Sequence, residues 1–518
     1  MRGELRLDQT AVAQPRRKFR PGGRQQKVAF SAKLPYPEAI VLFTELFRRL
    51  ALGLSLLMII LAGPVARATT VGGTLTSNTT WTAAQSPYLI FTNLIVPSNL
   101  TLTVQAGVVV RLTNSRAITV RGGAVLDVQG TAASPVQFLA LVGTNNWGTI
   151  NTAGSNALIT IRHAEITRGG LSFSNGSTAL VEDSYLHDAP QPLLATTAKL
   201  VTLRRIHVNN YKSCVFNSGT IVRAEDSLFE NMTNARSDAF EIQNGPPGSI
   251  IRRCTVRHGT GSNTDAVDCN GSTNVLILDC LIYDFTDKAV SLGTATDFDQ
   301  PASLGLVLSN CLVYGTDSGI SVKDKSTASL YQNTLAGAFY GVRLYQKYNP
   351  QVAGGGGRIT NAWNNIIWGN STNLSIATNS SLVALSSDIG GTTNYPGAGN
   401  IHSDPLFRSA AARDYRLATN SPARGTGLAG RDMGAQFPVG APMAASHPQI
   451  ESETVSNGVA TVRFWADSEK SYTLQVSDVV NGGVWTTVTN VPTRLRPTLV
   501  EVRKALPPGH SFFRLQTP

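Results

Sequence analysis

Short alternating apolar and polar stretches recur through most of the chain. Gly107-Val108-Val109-Val110-Arg111-Leu112 and Gly123-Ala124-Val125-Leu126-Asp127-Val128 carry the period of two that marks a strand with one buried face. No helical period sustains itself between them. From residue 164 onward the stretches fall into register. One column reads Ala164, Ser184, Ile206, Ser227, Cys254, Cys280, Cys311, Thr334, Ile366, at steps of 20 to 32 residues. Each member follows a polar residue: His163, Asp183, Arg205, Asp226, Arg253, Asp279, Asn310, Asn333, Asn365. A repeat of that length, strand-rich and helix-free, is one coil of a parallel β-solenoid. The expected fold is all-β: a right-handed parallel β-helix over 69–436, a linker at 437–448, and a small β-sandwich at 449–518.

A second register lies downstream of the column in each coil. It reads Asp238-Ala239-Phe240-Glu241, Asp265-Ala266-Val267-Asp268, Lys288-Ala289-Val290-Ser291, Ser318-Gly319-Ile320-Ser321 and Tyr340-Gly341-Val342-Arg343. Alternation points Phe240, Val267, Val290, Ile320 and Val342 inward. It turns Glu241, Asp268, Ser291, Ser321 and Arg343 outward as one row. Coils stack at about 4.8 Å, so that row is continuous. Carboxylates crowded on adjacent coils repel unless something compensates. A shared proton, a cation such as Ca2+ among Asp238, Glu241, Asp265 and Asp268, or the ammonium of Lys288 would each do so. The bland alternative is a solvated acidic face paired across coils.

Composition adds little to the fold but places the chain. Of 44 Lys+Arg and 33 Asp+Glu, residues 1–68 hold 12 and 4. The remainder is nearly balanced, so nucleic acid is not an expected partner. Leu50–Gly63 is an apolar run behind Arg48-Arg49 and ahead of Ala66-Arg67-Ala68. This is the layout of a secretory signal peptide with cleavage after Ala68, and it implies a secreted or cell-envelope protein. An uncleaved anchor is the alternative. The basic stretch ahead of the run suggests a start codon nearer Val41 or Leu46. Thr69–Asn99 is the expected cap of the solenoid. Of the 5 Cys, Cys254, Cys280 and Cys311 share the column and are expected to stack as buried thiols. No CxxC or histidine spacing marks a zinc site. Two excursions, Thr294–Leu304 and Tyr348–Gly357, flank the second register, and the latter ends in a Gly run expected to be flexible. Trp363 and Trp368 flank one coil, as core filling or as a stacking face for sugar.

Several resemblances follow from these residues. Asp404-Pro405-Leu406-Phe407, Asp414-Tyr415-Arg416-Leu417, Ser421-Pro422-Ala423 and Asp432-Met433-Gly434-Ala435 resemble a tail common in secreted bacterial parallel β-helix proteins. The closing Phe512-Phe513-Arg514-Leu515 is similar to the end of fibronectin-III-like modules, which implies cell-surface attachment. Asn263-Thr264-Asp265, Asp287-Lys288 and Asp317-Ser318-Gly319 resemble, in order, the coils of polygalacturonase-type glycoside hydrolases and of pectate-lyase-type solenoids. The resemblance maps Asp265 and Asp287 onto two carboxylates and Arg343 onto the family arginine. It breaks where Lys288 replaces a third carboxylate, where the family histidine has no counterpart, and where Tyr345 replaces a lysine. Asp287–Gly293, Val322–Ser326 and Tyr345-Gln346-Lys347 also resemble a bacterial β-helix group without an activity we can name.

The expectation is therefore an exported solenoid that binds polysaccharide, an acidic one. The alternative is a polysaccharide-degrading enzyme, a uronate lyase ahead of a glycoside hydrolase. Candidate catalytic residues are Asp265, Asp287, Lys288, Arg343, Tyr345 and Lys347. Candidate substrate contacts are Glu241, Asp268, Lys323 and Asp324. In the lyase reading Lys288 would be the base.

Overall fold

The computed structural model describes residues 68–440 apart from 144, 233, 349–353 and 438, and the strands with some connections of 450–516. The expected signal peptide and most of the linker lie outside the described residues. Among the described residues no helix is long and apolar enough to cross a membrane.

From Thr69 to Ile389 the chain winds as a parallel solenoid, with two parallel sheets of 13 and 25 strands. The larger sheet takes two strands from most coils. One contains Cys254's successor strand Thr255–Gly259, and the other the strand Asp265–Asn270. Alternation does its expected work: Thr178–Glu182 and Val125–Gln129 each bury every second side chain. The inward rows make one continuous core that includes Phe173, Phe216, Phe229, Phe240, Val267 and Val290. The stretch expected to be a cap is itself coil. Thr69–Thr74 pairs in parallel with Tyr88–Val96, so residues 69–96 belong to the stack they were expected to cover.

The recurring column is a corner. The polar residue before each member adopts a left-handed backbone: φ is 50° at Asp183, 49° at Arg205, 53° at Asp226, 49° at Arg253, 56° at Asp279 and 52° at Asn310. Asn and Asp tolerate this region, and Arg does so at a cost. Cross-coil pairing offsets that cost. Arg205 Nε lies 2.6 Å from Asp183 Oδ1, Arg253 Nε 2.5 Å from Asp226 Oδ1, and Asn310 Nδ2 donates to Asp279 Oδ1 at 2.8 Å.

The next residue turns inward and closes the coil beneath. Ser184 Oγ accepts the Ala164 N–H at 3.0 Å, and Ser227 Oγ that of Ile206 at 3.2 Å. Cys311 Sγ accepts the Cys280 N–H at 3.4 Å, then Asn333 Oδ1 the Cys311 N–H at 2.9 Å. Asn365 Oδ1 takes the Asn333 N–H at 3.0 Å and Ser387 Oγ the Asn365 N–H at 3.1 Å. The column thus ends in Asn333, Asn365 and Ser387. The expected members Thr334 and Ile366 sit one place later, where they pair with Leu312 and Asp388. The left-handed residues there are Gln332, Asn364 and Ser386. All five cysteines are free and buried, so stacked thiols, not disulfides, fill the middle of the ladder.

Past the last coil the chain runs back over the solenoid. Gly434 N–H donates to Asn364 O, Ala435 N–H to Thr334 Oγ1, Gln436 N–H to Asn310 Oδ1 and Gly440 N–H to Asp279 O. Tyr415, Ala435 and Val439 cover the outward side chains Leu281, Tyr283, Leu312 and Tyr314. The C-terminal residues form two three-stranded antiparallel sheets, one of Ile450–Ser456, Val459–Ala466 and Thr498–Ala505, the other of Thr486–Val491, Tyr472–Ser477 and Phe512–Gln516. Val462, Phe464, Tyr472, Leu474 and Val491 fill one core between them.

Candidate functional site

Five consecutive strands set the site: Asp238–Gln243, Asp265–Asn270, Lys288–Gly293, Ser318–Lys323 and Tyr340–Tyr345. Their register runs Glu241, Asp268, Ser291, Ser321, Arg343. Phe240, Val267, Val290, Ile320 and Val342 point into the core beside them. The outward row has the order expected from alternation, but its exposure is uneven. Ser291 and Ser321 are fully buried, although they share the register of the half-buried Glu241, Asp268 and Arg343.

The acidic end is tied by backbone as well as side chains. Asp238 Oδ1 accepts the Asp265 N–H at 3.2 Å, and Asp265 Oδ1 accepts the Lys288 N–H at 2.8 Å. The Lys288 ammonium lies 3.5 Å from Asp265 Oδ1 and is hydrogen-bonded to Asp287 Oδ2. Burial works against its charge, but the two aspartates hold its pKa above the ordinary lysine value. Burial, with the Asp268 and Asp265 charges, pushes the Asp238 carboxyl up to about 8. Burial also lifts Asp265 to about 6, with Asp268 and Asp287 adding to the rise and Lys288 opposing it. Glu241 rises for the same reasons, burial first and Asp268 second. Near neutral pH Asp238 therefore keeps a proton that a free carboxylate would release.

Two of the three expected compensators are thus at work: a retained proton and Lys288. The third, calcium at Asp238, Glu241, Asp265 and Asp268, has no support in the side-chain geometry. No three acidic, His or Cys side chains converge on one point among the described residues. The reason is local. Backbone amides claim Asp238 and Asp265, Gln243 binds Glu241, and Asn270 binds Asp268 at 2.6 Å.

The basic end is built differently. Arg343 lies between two rings, 4.6 Å from the Tyr340 centroid and 4.7 Å from that of Tyr345. Stacking fixes the guanidinium plane. Among the described residues it has no carboxylate partner. Burial raises the Tyr345 phenol while Lys288, Arg343 and Lys347 oppose the rise, so these four groups share one neighbourhood. Lys347 lies 4.8 Å above the Tyr348 ring. Asp268 Oδ1 and Ser321 Oγ are enclosed without a hydrogen-bond partner.

Two predicted contacts turn out to be scaffold. Asp324 is fully buried, and its Oδ1 accepts the N–H groups of Lys347 at 2.6 Å and Tyr348 at 2.9 Å. Lys323 is buried too, and its ammonium donates to Ser291 Oγ at 2.9 Å. Asp324 anchors the excursion after Tyr345, and Lys323 ties its strand to Ser291 on the preceding coil. The Gly run closing that excursion is packed, not loose: a Cβ at Gly357 would meet Val322 O at 1.9 Å.

Tyr340 escaped the sequence reading as a site residue. Its position opposite Ser318, one coil from Lys288, was the available signal. A buried charge network on the neighbouring strands also escaped it: Glu230 takes a hydrogen bond with His207 at 2.7 Å and from Arg257 Nε at 2.7 Å, and Arg257 donates to Tyr283 Oη at 3.1 Å. Its members stand on successive coils in unlike residue types, so no column announces them.

Comparison with known proteins bears on the fold. Residues 193–381 match the family described as a right handed beta helix region, and residues 73–179 match the pectate-lyase like beta helix domain. No curated protein matches. Among solved structures, the catalytic domain of a GH87 alpha-1,3-glucanase in complex with tetrasaccharides aligns at 14% identity and a TM-score of 0.25. The alignment covers 61% of this chain and 63% of that one, so the chain spans less than two thirds of that domain's length. With two family matches laid over a stack of parallel coils, the solenoid of this chain is a right-handed parallel β-helix repeat.

Proposed function

We propose that the row from Glu241 to Arg343 binds an acidic polysaccharide laid across the coils, and that the solenoid acts as a binding surface outside the cytoplasm. The single observation that carries this is Arg343, a guanidinium stacked on two tyrosines with, among the described residues, no carboxylate to neutralise it. A planar fork presented in this way suits a uronate carboxylate. Half-buried Glu241 and Asp268 on the same row offer hydrogen bonds to sugar hydroxyls along the same line. Successive coils match the extended habit of a polymer. The C-terminal sheets would serve attachment to the cell surface.

The test is retention on immobilised polygalacturonate at low and high salt. The parent protein is expected to bind at low salt. Arg343→Ala and Arg343→Lys should each weaken retention at least tenfold, because Lys keeps the charge and loses the fork. Equal retention by all three proteins would remove the proposal.

A second reading, cleavage of the polymer, draws on the carboxyls of Asp238 and Asp265, raised to about 8 and about 6. Groups titrating there can act as general acids near neutrality. Lys288 does not serve this reading as a base, since Asp265 and Asp287 keep it protonated. Incubation with polyuronates, followed by assays for unsaturated product and for new reducing ends, separates elimination, hydrolysis and binding alone.

A further inference from the structure

A concave site lies far around the coil from the acidic row, on the 13-stranded sheet. It is a cavity of about 580 Å³, walled on one side by Tyr331 and Trp363 and on the other by the returning tail at Leu428 and Arg431. Tyr331 and Trp363 are neighbours across successive coils, their ring centroids 5.2 Å apart and their planes at 53°. Trp363 is exposed. An exposed indole is unusual on a solenoid whose other large side chains are mostly covered. Trp368, its partner in the sequence, packs against Ile366 and Met433 and is accounted for as filling.

The walls are held in place. Asn364 Oδ1 accepts the Leu428 N–H at 2.5 Å, and Gln332 Nε2 donates to Gly434 O at 2.7 Å. These two amides fix the tail loop against the coil, so the cavity exists before any ligand arrives. Asn310 and Gln436 are likewise engaged within the protein, and three lining groups remain unspent. Among the described residues the Arg431 guanidinium, the Tyr331 hydroxyl and the Trp363 indole N–H have no hydrogen-bond partner. No carboxylate lines the cavity.

We infer that this cavity is a second glycan site, taking one or two pyranose rings of a polysaccharide. The chemistry is specific to that class. A pyranose has an apolar face of C–H groups that stacks on an aromatic ring and an equatorial belt of hydroxyls that needs donors around it. Trp363 and Tyr331 supply the first, and Arg431 with the two ring donors supplies the second. A cavity of this volume is in the usual range for small-ligand sites, roughly 300–1,000 Å³. The inference does not depend on what the acidic row binds, because the two sites stand on different sheets and share no residue.

The experiment uses the full chain carrying Lys288→Ala and Arg343→Ala, which silences the row. It is titrated by calorimetry with laminarihexaose, cellohexaose and hexagalacturonate. At least one hexasaccharide is expected to bind. Adding Trp363→Ala should weaken that binding at least tenfold, and adding Arg431→Ala about threefold or more. Arg431 is exposed, so its variant keeps the fold, which thermal melting by circular dichroism verifies. Unchanged titration by both added variants overturns the inference. So does the absence of binding by every hexasaccharide in the panel.

Discussion

Two ladders climb this solenoid at the same coil spacing, and they end in opposite states. The corner ladder runs Cys280, Cys311, Asn333, Asn365, Ser387, and each member after Cys280 closes the amide of the coil before it. The surface ladder runs Glu241, Asp268, Ser291, Ser321, Arg343, and among the described residues it leaves Asp268 Oδ1 and Ser321 Oγ enclosed without a hydrogen bond and Arg343 without a carboxylate. Both are repeats in register. What separates them is hydrogen-bond accounting. A ladder whose every polar atom is answered within the protein holds coils together. One that ends in a half-buried guanidinium with no carboxylate partner among the described residues is available to something outside at that end.

The sharpest way to break the comparison is to damage the closed ladder. Asn365→Leu deletes the acceptor for Asn333 N–H and Nδ2 and the donor to Leu330 O, all buried. Orphaning such groups should cost about 3–5 kcal/mol. Urea unfolding reads this directly, and proteolysis should begin in the last coils. Beside the surface ladder, Lys288→Ala should reduce polygalacturonate retention at least tenfold with a much smaller loss of stability, since Asp265 can take up a proton once the ammonium is gone.

The pH dependence sharpens the contrast further. Asp238 and Asp265 hold protons in the folded state up to about 8 and about 6, whereas the unfolded chain releases them near 3.8. The folded state binds more protons across that window, so stability falls as pH rises from about 4 to 8 and then levels. Between pH about 5 and 8 the loss should reach at most about 5 kcal/mol, and Asp238→Asn should remove most of it, as melts at those two pH values would show. Smallest of all is Cys280→Ser. The same column holds Ser184, Ser227 and Ser387, so a hydroxyl fits the corner, and the cost should stay within about 1 kcal/mol in the same urea assay. A cost comparable to that of Asn365→Leu would mean the thiol stack, not the amide closure, stabilises the corner.

How much of this was readable beforehand follows from which forces act locally. Alternation around Phe240, Val267 and Val290 set the strands and their register, because a slip by one residue would turn the charges of this row into the core. The expected column slips by one at Thr334 and Ile366 because Asn333 and Asn365 match in type the polar residue outside it. Paired asparagines at 364 and 365 look alike in sequence, and only the backbone tells which is left-handed. Lys323 and Asp324 read as surface charges; nothing near them in sequence announces that Ser291 and the amides after Gln346 would occupy them. The cavity at Trp363 depends on a tail residue nearly seventy positions away. Long-range closure of this kind leaves no periodic trace.

The returning tail has a mechanical meaning. A stack of coils held only by its neighbours can peel from its free end one turn at a time. Here Gly434, Ala435, Gln436 and Gly440 are fastened in succession to the turns of Asn364, Thr334, Asn310 and Asp279. The turn of Asn364, next to last in the stack, therefore cannot lift away while the strap holds, and the strap cannot be released without freeing several turns together. Pulled from that end, the molecule should resist as a laced boot does, yielding in one large extension where an unstrapped spring would give in a series of small ones.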